Sequence, residues 1–350
     1  MGVKIAFFCG HKSPYGLAHL APLIKEFDVN VVVMADEERW KIFHDRLVGK
    51  VYYEPRSNNF LFLVAKILLR WFDKLLELLA EYRTFKDVQR LLRRKHIELW
   101  EISDVNSENA IERLKKLDVD LFVSAAYPQI FSENILDIPR LGAVNFHPAL
   151  LPKYRGAHPH FWQIVNGEKE GGMTAHFMKE SIDAGDIIAQ VSFPINDCTY
   201  PELYEKIIKQ THQLVREVRI FFEARTTRAR PQKMEGATYY RNEREIHLRV
   251  FWNIHTSEEI YNLIRTGKAF CFFKGKRVVF ASSYVTESNR NLTNGVRVES
   301  GTIVDVGKDS FSVKTIDGCI NIKEIKKGRR TLSFLQWARI MNMCIGEKFD

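Results

Sequence analysis

The sequence predicts an α/β domain built on a mostly parallel sheet, followed by a smaller β-barrel domain. Three observations carry this reading. Up to about Glu223, short apolar runs rich in β-branched residues alternate with stretches of helical periodicity, the pattern of βαβ units covered on both faces. Beyond Tyr240 the runs become short, alternating and separated by Gly-containing turns, which suits a small barrel. Charge divides at the same place: residues 1–227 carry 30 Lys+Arg and 30 Asp+Glu, whereas Arg228–Asp350 carries 22 against 13. With domains clustering near roughly 100–200 residues, a chain of 350 is also expected to hold two.

The elements follow in order. Val3–Cys9 is a buried strand ended by Gly10, Leu17–Phe27 a helix, and Val29–Met34 a second strand. No GxGxxG follows the first strand, so a dinucleotide site has no support. Phe60–Arg94 reads as one or two amphipathic helices packed on the sheet, with a solvated basic flank from Arg83 to Lys95. Its Lys66, Arg70, Asp73, Lys74 and Glu77 rule out a spanning helix, which needs about 20 mostly uncharged residues. Strands are expected at Ile97–Trp100, Leu121–Ala125, Gly142–Phe146, Met173–Met178 and Ile187–Val191, with a helix at Ser107–Lys116. Thr199, Pro201 and Glu202 form a helix start, with capping-box spacing, for a helix running to about Glu223. Residues 1–225 therefore form the first domain, 226–240 a linker and 241–350 the second domain. In the second domain a helix at Ser257–Thr266 precedes strands at Arg277–Phe280, Gly301–Val306, Ser310–Thr315 and Ile320–Ile325, and Leu332–Ile340 closes as a helix.

Composition excludes several classes. With 45% apolar and 27% charged residues the chain is an ordinary globular protein, neither collagen-like nor disordered. Five scattered cysteines without a CxxC pair give no disulfide framework or zinc knuckle, so no metal is expected and a reducing cytoplasm fits. The apolar run at the N-terminus is too short for a signal peptide. The net charge of +9 fits either a basic solvated surface or an attraction to phosphates.

Chemistry concentrates in Asn145-Phe146-His147-Pro148-Ala149-Leu150-Leu151-Pro152, in Gly172–Met178, and in Ser181-Ile182-Asp183-Ala184-Gly185-Asp186. Asn145 and His147 lie two apart at the end of an apolar strand and project from one side. Asp183, in a turn between strands, could reach that edge. An amide, an imidazole and a carboxylate together suit acyl transfer through a tetrahedral intermediate. Asn145 and a protonated His147 would donate to the oxyanion, while Asp183 would orient His147 and assist proton removal from an attacking amine. Asn-x-His and Asp-Ala-Gly-Asp are also ordinary turn compositions, so spacing alone leaves both readings open.

The ordered set Asn-x-His-Pro-Ala-Leu-Leu-Pro, Arg155-Gly156 and Ile182-Asp183-Ala184-Gly185 resembles the folate-dependent formyltransferase family. The resemblance implies a Rossmann-like catalytic domain, Asn145, His147 and Asp183 as the catalytic three, and N10-formyltetrahydrofolate as co-substrate. It implies donor contacts, largely through backbone, on the loops bearing Pro128, Gln129 and Phe131 and bearing Lys179 and Glu180. Ala229-Arg230-Pro231-Gln232, Ala237-Thr238-Tyr239 and the terminal pattern are similar to the OB-like C-terminal domain of methionyl-tRNA formyltransferases. Glycinamide ribonucleotide formyltransferases end before such a domain.

Two acceptors follow from the resemblance. Methionyl-tRNA enzymes carry a basic insertion soon after the second strand, where this chain reads Ala35-Asp36-Glu37-Glu38-Arg39-Trp40. Tyr154–Trp162 is closer to sugar-nucleotide N-formyltransferases, which act on dTDP- or UDP-linked amino sugars for surface polysaccharide. A nucleotide sugar is therefore the expected partner, with Lys12 and Arg155 as candidates for its phosphates and tRNA as the alternative. Against that, Lys12 reads as an exposed loop charge, Arg155 as a structural residue bonding a loop carbonyl, and His158 and His160 as structural or incidental and not as ligands. No membrane partner is expected. An apolar face on the Phe60–Arg94 helices or on the barrel could support a homodimer.

Overall fold

The computed structural model describes residues 2–11, 13–37, 86–224, 228–285, 298–327 and 330–350. Lys12 and residues 60–85 of the predicted Phe60–Arg94 region lie outside them, whereas residues 86–94 are helical. The chain divides into two compact units, each discontinuous in sequence. Unit one comprises Met1–His147, Met173–Val191 and Ile208–Gly236; unit two comprises Pro148–Gly172, Ser192–Ile207 and Ala237–Asp350. The sequence reading draws a single boundary at residues 226–240, whereas spatial grouping places two earlier segments with the C-terminal part.

Unit one holds a seven-stranded sheet. Its strands are β1 (Lys4–Cys9), β2 (Asp28–Ala35), β3 (Glu98–Ile102), β4 (Leu121–Ala125), β5 (Ala143–His147), β7 (Glu170–Phe177) and β8 (Ile187–Pro194), with β6 (Arg155–Gly156) lying in unit two. The order is β3-β2-β1-β4-β5-β7-β8. β1 pairs in parallel with both β2 and β4, and β4 with β5, while β7 runs antiparallel to β5. The mostly parallel, Rossmann-like sheet is therefore as the sequence implies. The strand order reverses direction between β1 and β4, and open α/β sheets bind ligands outside the strand carboxyl ends at such a point. Helix Pro14–Glu26 follows β1, capped by Ser13, whose hydroxyl accepts from the Gly16 amide at 3.2 Å. Gly16 has no alternative: a Cβ there would lie 2.7 Å from the Cys9 Cβ and 3.0 Å from the Ala125 carbonyl. One core packs Ala6, Phe8, Val31, Val33, Trp100 and Phe122 with Phe131 from the loop after β4.

Unit two is an antiparallel sheet of β10 (Phe270–Phe273), β11 (Lys276–Tyr284), β12 (Ile303–Val306), β13 (Phe311–Lys314), β14 (Cys319–Lys327) and β15 (Arg330–Ser333). The order is β10-β11-β14-β13-β12, with β15 pairing β14. The sheet curls into a half-barrel. The C-terminal residues lie along both of its end strands: Ile303 N–H donates to Glu347, Phe349 N–H to Gly301, and Asp350 N–H to Phe272 in β10. Phe349 is thereby buried among Trp252, Phe273, Phe280, Phe311 and Trp337. Helix Ser257–Arg265 starts with a reciprocal cap between Thr256 and Glu259 and packs Ile260, Leu263 and Ile264 into the same core. Among the described residues no helix is long and apolar enough to cross a membrane.

Candidate active site

β5 reads Ala-Val-Asn-Phe-His, and alternation sends Asn145 and His147 to one face and Phe146 to the other. The Phe146 side is sealed: its ring stacks on His19 at 4.9 Å and Tyr15 donates to its carbonyl at 3.2 Å. Burial pushes His19 down to about 4, so it is a neutral packing group at physiological pH. On the other face the antiparallel register sets His176 of β7 opposite Asn145, and Thr174 opposite His147.

Asp183 completes the cluster from the loop between β7 and β8. Its Oδ1 lies 3.4 Å from Asn145 Nδ2 and 3.4 Å from His176 Nε2, and its Oδ2 lies 3.4 Å from His147 Nδ1. The side chains of His147, His176 and Asp183 are 4%, 2% and 10% exposed, so this carboxylate acts where water screens little. His176 Nδ1–H donates to the Phe177 carbonyl at 2.8 Å, which leaves Nε2 to accept from Asn145 Nδ2 at 3.3 Å. The amide nitrogen of Asn145 thus faces His176 and Asp183, and one of its two N–H groups must turn from them to donate to a substrate oxygen.

Sequence reasoning gave Gln232 and His176 no role, although both stand in the motifs it singled out. Asp183 has φ 51°, a left-handed conformation that Asp tolerates better than most residues but that needs support. Gln232 provides it: its Nε2 donates to the carbonyls of Asp183 at 2.8 Å and Gly185 at 2.7 Å. Gly185 packs so closely on Phe177 that a Cβ would sit 1.7 Å from its carbonyl oxygen. Gln232 is itself placed by Arg230, whose backbone exchanges two hydrogen bonds with Ile187 of β8. A segment read as linker therefore supports the carboxylate. A glutamine that braces a loop 49 positions away leaves no local signal, and His176 becomes visible only once β7 is known to pair with β5.

The loop after β4 lies at the carboxyl end of the sheet, beside the reversal point. Gln129 is engaged within unit one: its Oε1 accepts from Val105 N–H at 2.9 Å and its Nε2 donates to the Ser103 carbonyl at 2.7 Å. Phe131 is 2% exposed and packs edge-on against Phe8 at 4.9 Å. Both side chains shape the loop from inside, and Pro128 precedes Gln129 on it, half-buried. On the second loop, Lys179 pairs with Asp186 at 2.9 Å and Glu180 is exposed. Cys9, at the end of β1, has its thiol pushed up to about 12 by burial, so it is no nucleophile. Arg155 belongs to unit two, in the two-stranded ribbon of β6 with β9 (Tyr239–Tyr240). His158 and His160, read as structural, each have a partner in unit two: His158 pairs with Glu243, and His160 Nε2 bonds Tyr200 at 2.7 Å.

The residues 74–218 match the formyl transferase family model, and residues 245–342 match the formyl transferase C-terminal domain. A methionyl-tRNA formyltransferase of Acetivibrio thermocellus is 34% identical over 239 residues, covering 67% of this chain and 75% of that one. The chain belongs to the formyltransferase family. Its reaction is formyl transfer, with a formyl-tetrahydrofolate as one-carbon donor. The methionyl-tRNA formyltransferase of Macrococcus caseolyticus is similarly related, at 34% over 264 residues, 73% of this chain and 81% of that one. In fold, the formyltransferase resembles the N-formyltransferase of Helicobacter canadensis solved with folinic acid and dTDP-3-aminofucose. That likeness has a TM-score of 0.57 at 18% identity and covers 93% of this chain and all of the other.

Proposed function

We propose that this formyltransferase moves the formyl group of N10-formyltetrahydrofolate to the primary amine of a dTDP- or UDP-linked amino sugar, with Asn145, His147 and Asp183 as catalytic residues. The observation that carries the chemistry is the convergence of these three side chains on one buried face, each oxygen of Asp183 3.4 Å from a different partner of the set. The amine attacks the formyl carbon, a carbon–nitrogen bond forms, and the carbonyl oxygen becomes an oxyanion. Asn145 Nδ2–H and the Nε2–H of a doubly protonated His147 donate to that oxygen. Asp183 holds His147 through Nδ1 and draws the proton from the attacking nitrogen, directly or through water. The bond from the formyl carbon to N10 then breaks, the proton passes to N10, and tetrahydrofolate leaves with the formamide product. The loops carrying Pro128, Gln129 and Phe131, and Lys179 and Glu180, offer their backbone to the donor.

The acceptor reading rests on the segment after β2. Ala35-Asp36-Glu37-Glu38 is acidic where methionyl-tRNA enzymes carry a basic insertion, so the charge that would meet an RNA backbone is absent there. Lys12 and Arg155 are the candidates for the acceptor's phosphates. The second reading, methionyl-tRNA as acceptor, is favoured by the 34% identity to enzymes of that name. Tetrahydrofolate release on mixing enzyme, N10-formyltetrahydrofolate and dTDP- or UDP-amino sugars tests the proposal. Release that requires the amine is expected; no release with any amino-sugar nucleotide would remove the acceptor reading.

A further inference from the structure

Two loops of unit one, one after β3 and one after β4, are tied together by side chains that each reach the other's backbone. Gln129 of the second loop takes the Val105 N–H and the Ser103 carbonyl of the first. Asn106 of the first loop does the same in return. Its Nδ2 donates to the Ile130 carbonyl at 2.9 Å, and its Oδ1 accepts the Ser132 N–H at 2.9 Å. Opposite partners fix the orientation of both amides, since each oxygen faces an N–H and each nitrogen a carbonyl. Four hydrogen bonds thus join segments 24 to 26 positions apart. Beneath them Val105 and Phe131 are buried in one core.

The two sides of this clamp differ in stiffness. Asn106 stands on a segment fixed by its own short-range bonds. Its N–H donates to Asp104 Oδ1 at 3.0 Å, and Ser107 beside it caps the helix Glu108–Lys115, its hydroxyl accepting from the Ala110 N–H at 3.3 Å. The other segment, Tyr127–Ser132, leads into the four-residue helix Glu133–Leu136, where Ser132 makes no side-chain capping bond. The Ile130 side chain on it is 60% exposed. Asn106 is therefore the post, and residues 130–132 are what it holds. An amide that takes the carbonyl of residue 130 and the N–H of residue 132 pairs as a residue of a neighbouring parallel strand would. That pairing turns the N–H and carbonyl of Phe131 the other way, and neither has a hydrogen bond among the described residues.

We propose that Asn106 is a positioning residue for formyl transfer: it sets the backbone of residues 130–132 for the formyl-tetrahydrofolate donor and acts through that loop, not on the donor itself. This role rests on the reading of the loop after β4 as a donor loop. Its physical basis is preorganisation, because a loop already held in the binding conformation loses less freedom when the ligand arrives. Gln129 does not replace it, since its bonds anchor the loop one residue before Ile130 and leave the backbone of 130–132 unheld. The Asn106 side chain is exposed, so its removal empties no part of the core.

Calorimetric titration of the full chain with tetrahydrofolate, joined to hydrogen exchange of the amides of residues 129–132 with and without it, tests the role. The unaltered protein is expected to bind and to protect those amides. Asn106→Ala should bind about tenfold more weakly, with faster exchange at the Ser132 N–H and a thermal midpoint nearly unchanged. Asn106→Asp keeps the size of the side chain but sets an oxygen against the Ile130 carbonyl, and it should weaken binding as well. In formyl transfer the loss should appear in KM for the donor, with kcat at saturating donor and KM for the amine unchanged. Wild-type affinity in both variants overturns the positioning role, while protection of the loop leaves the donor-loop reading standing. Tetrahydrofolate that leaves residues 129–132 unprotected in the unaltered protein removes the donor-loop reading, and the role of Asn106 with it.

Discussion

At the scale of single residues, the site depends on how one carboxylate is held. Asp183 reaches Asn145, His147 and His176 from a left-handed loop position, and its backbone is braced by Gln232 at 2.8 Å. Removing an oxyanion donor or the proton-handling group costs about a hundredfold or more in turnover. Asn145→Ala, His147→Ala and Asp183→Asn are each expected to show that loss in steady-state formyl transfer, and near-normal turnover in a folded His147→Ala protein would contradict the mechanism. Gln232→Ala leaves all three side chains in place and removes only the support of the Asp183 backbone. It is expected to lower kcat about tenfold, because a misplacement near 1 Å is enough to slow a positioned reaction, while the thermal midpoint moves little. An unchanged kcat would show that Gly185 and the hydrogen bond from the Phe177 N–H to the Asp186 carbonyl at 2.9 Å hold the loop without Gln232. Asn145, His147 and Asp183, proposed as the catalytic three, stand out in the sequence because their motif is long and ordered, and the fold brings them together. Gln232 and His176 do not stand out, because their roles exist only after β8 and β7 have found their neighbours.

At the scale of elements, strand and helix positions follow the sequence wherever apolar periodicity or caps are strong. Leu121–Ala125 is placed to the residue, and helix Tyr200–Ala224 begins where Thr199 and Glu202 predict, with Thr199 N–H donating to Glu202 at 2.8 Å. The misses share a cause. Phe270–Phe273 is a continuous apolar run without alternation, and β6 and β9 are two-residue pairings fixed by tertiary contact. Helix Pro159–Val165 starts at His158, a left-handed residue whose ring pairs with Glu243, so its start is set by a charge 85 positions away.

That charge makes a stability prediction. Burial opposes ionisation of Glu243, but His158 and Lys268 outweigh it and hold the carboxyl at about 2, below its ordinary 4.5. A depressed folded value means the contribution is full above about pH 4.5 and is lost as pH falls through 4 towards 2. Urea midpoints between pH 6 and 2 should therefore fall more steeply for the wild type than for Glu243→Gln. Parallel profiles would contradict the assignment.

At the scale of the whole molecule, both sheets take the classes that the sequence predicts, while the chain's path between them was not legible. Residues 148–172 and 192–207 group with unit two, because long-range packing, such as Phe161 in the core with Phe280 and Phe311, outweighs proximity along the chain. The half-barrel is lined at its ends by the last residues, so Phe349→Ala should destabilise unit two by about 3–5 kcal/mol, the usual cost of emptying a phenylalanine site. A loss below about 1 kcal/mol in denaturant unfolding would show that the tail is a passive cover. The basic balance of the C-terminal part remains compatible with either phosphate-bearing acceptor, and an assay must separate them. In one vessel, the enzyme with N10-formyltetrahydrofolate would be offered dTDP- and UDP-amino sugars together with methionyl-tRNA, and the products followed by mass spectrometry. Formylated amino-sugar nucleotide and unmodified methionyl-tRNA is the predicted result; formylmethionyl-tRNA with untouched sugar nucleotides would contradict it.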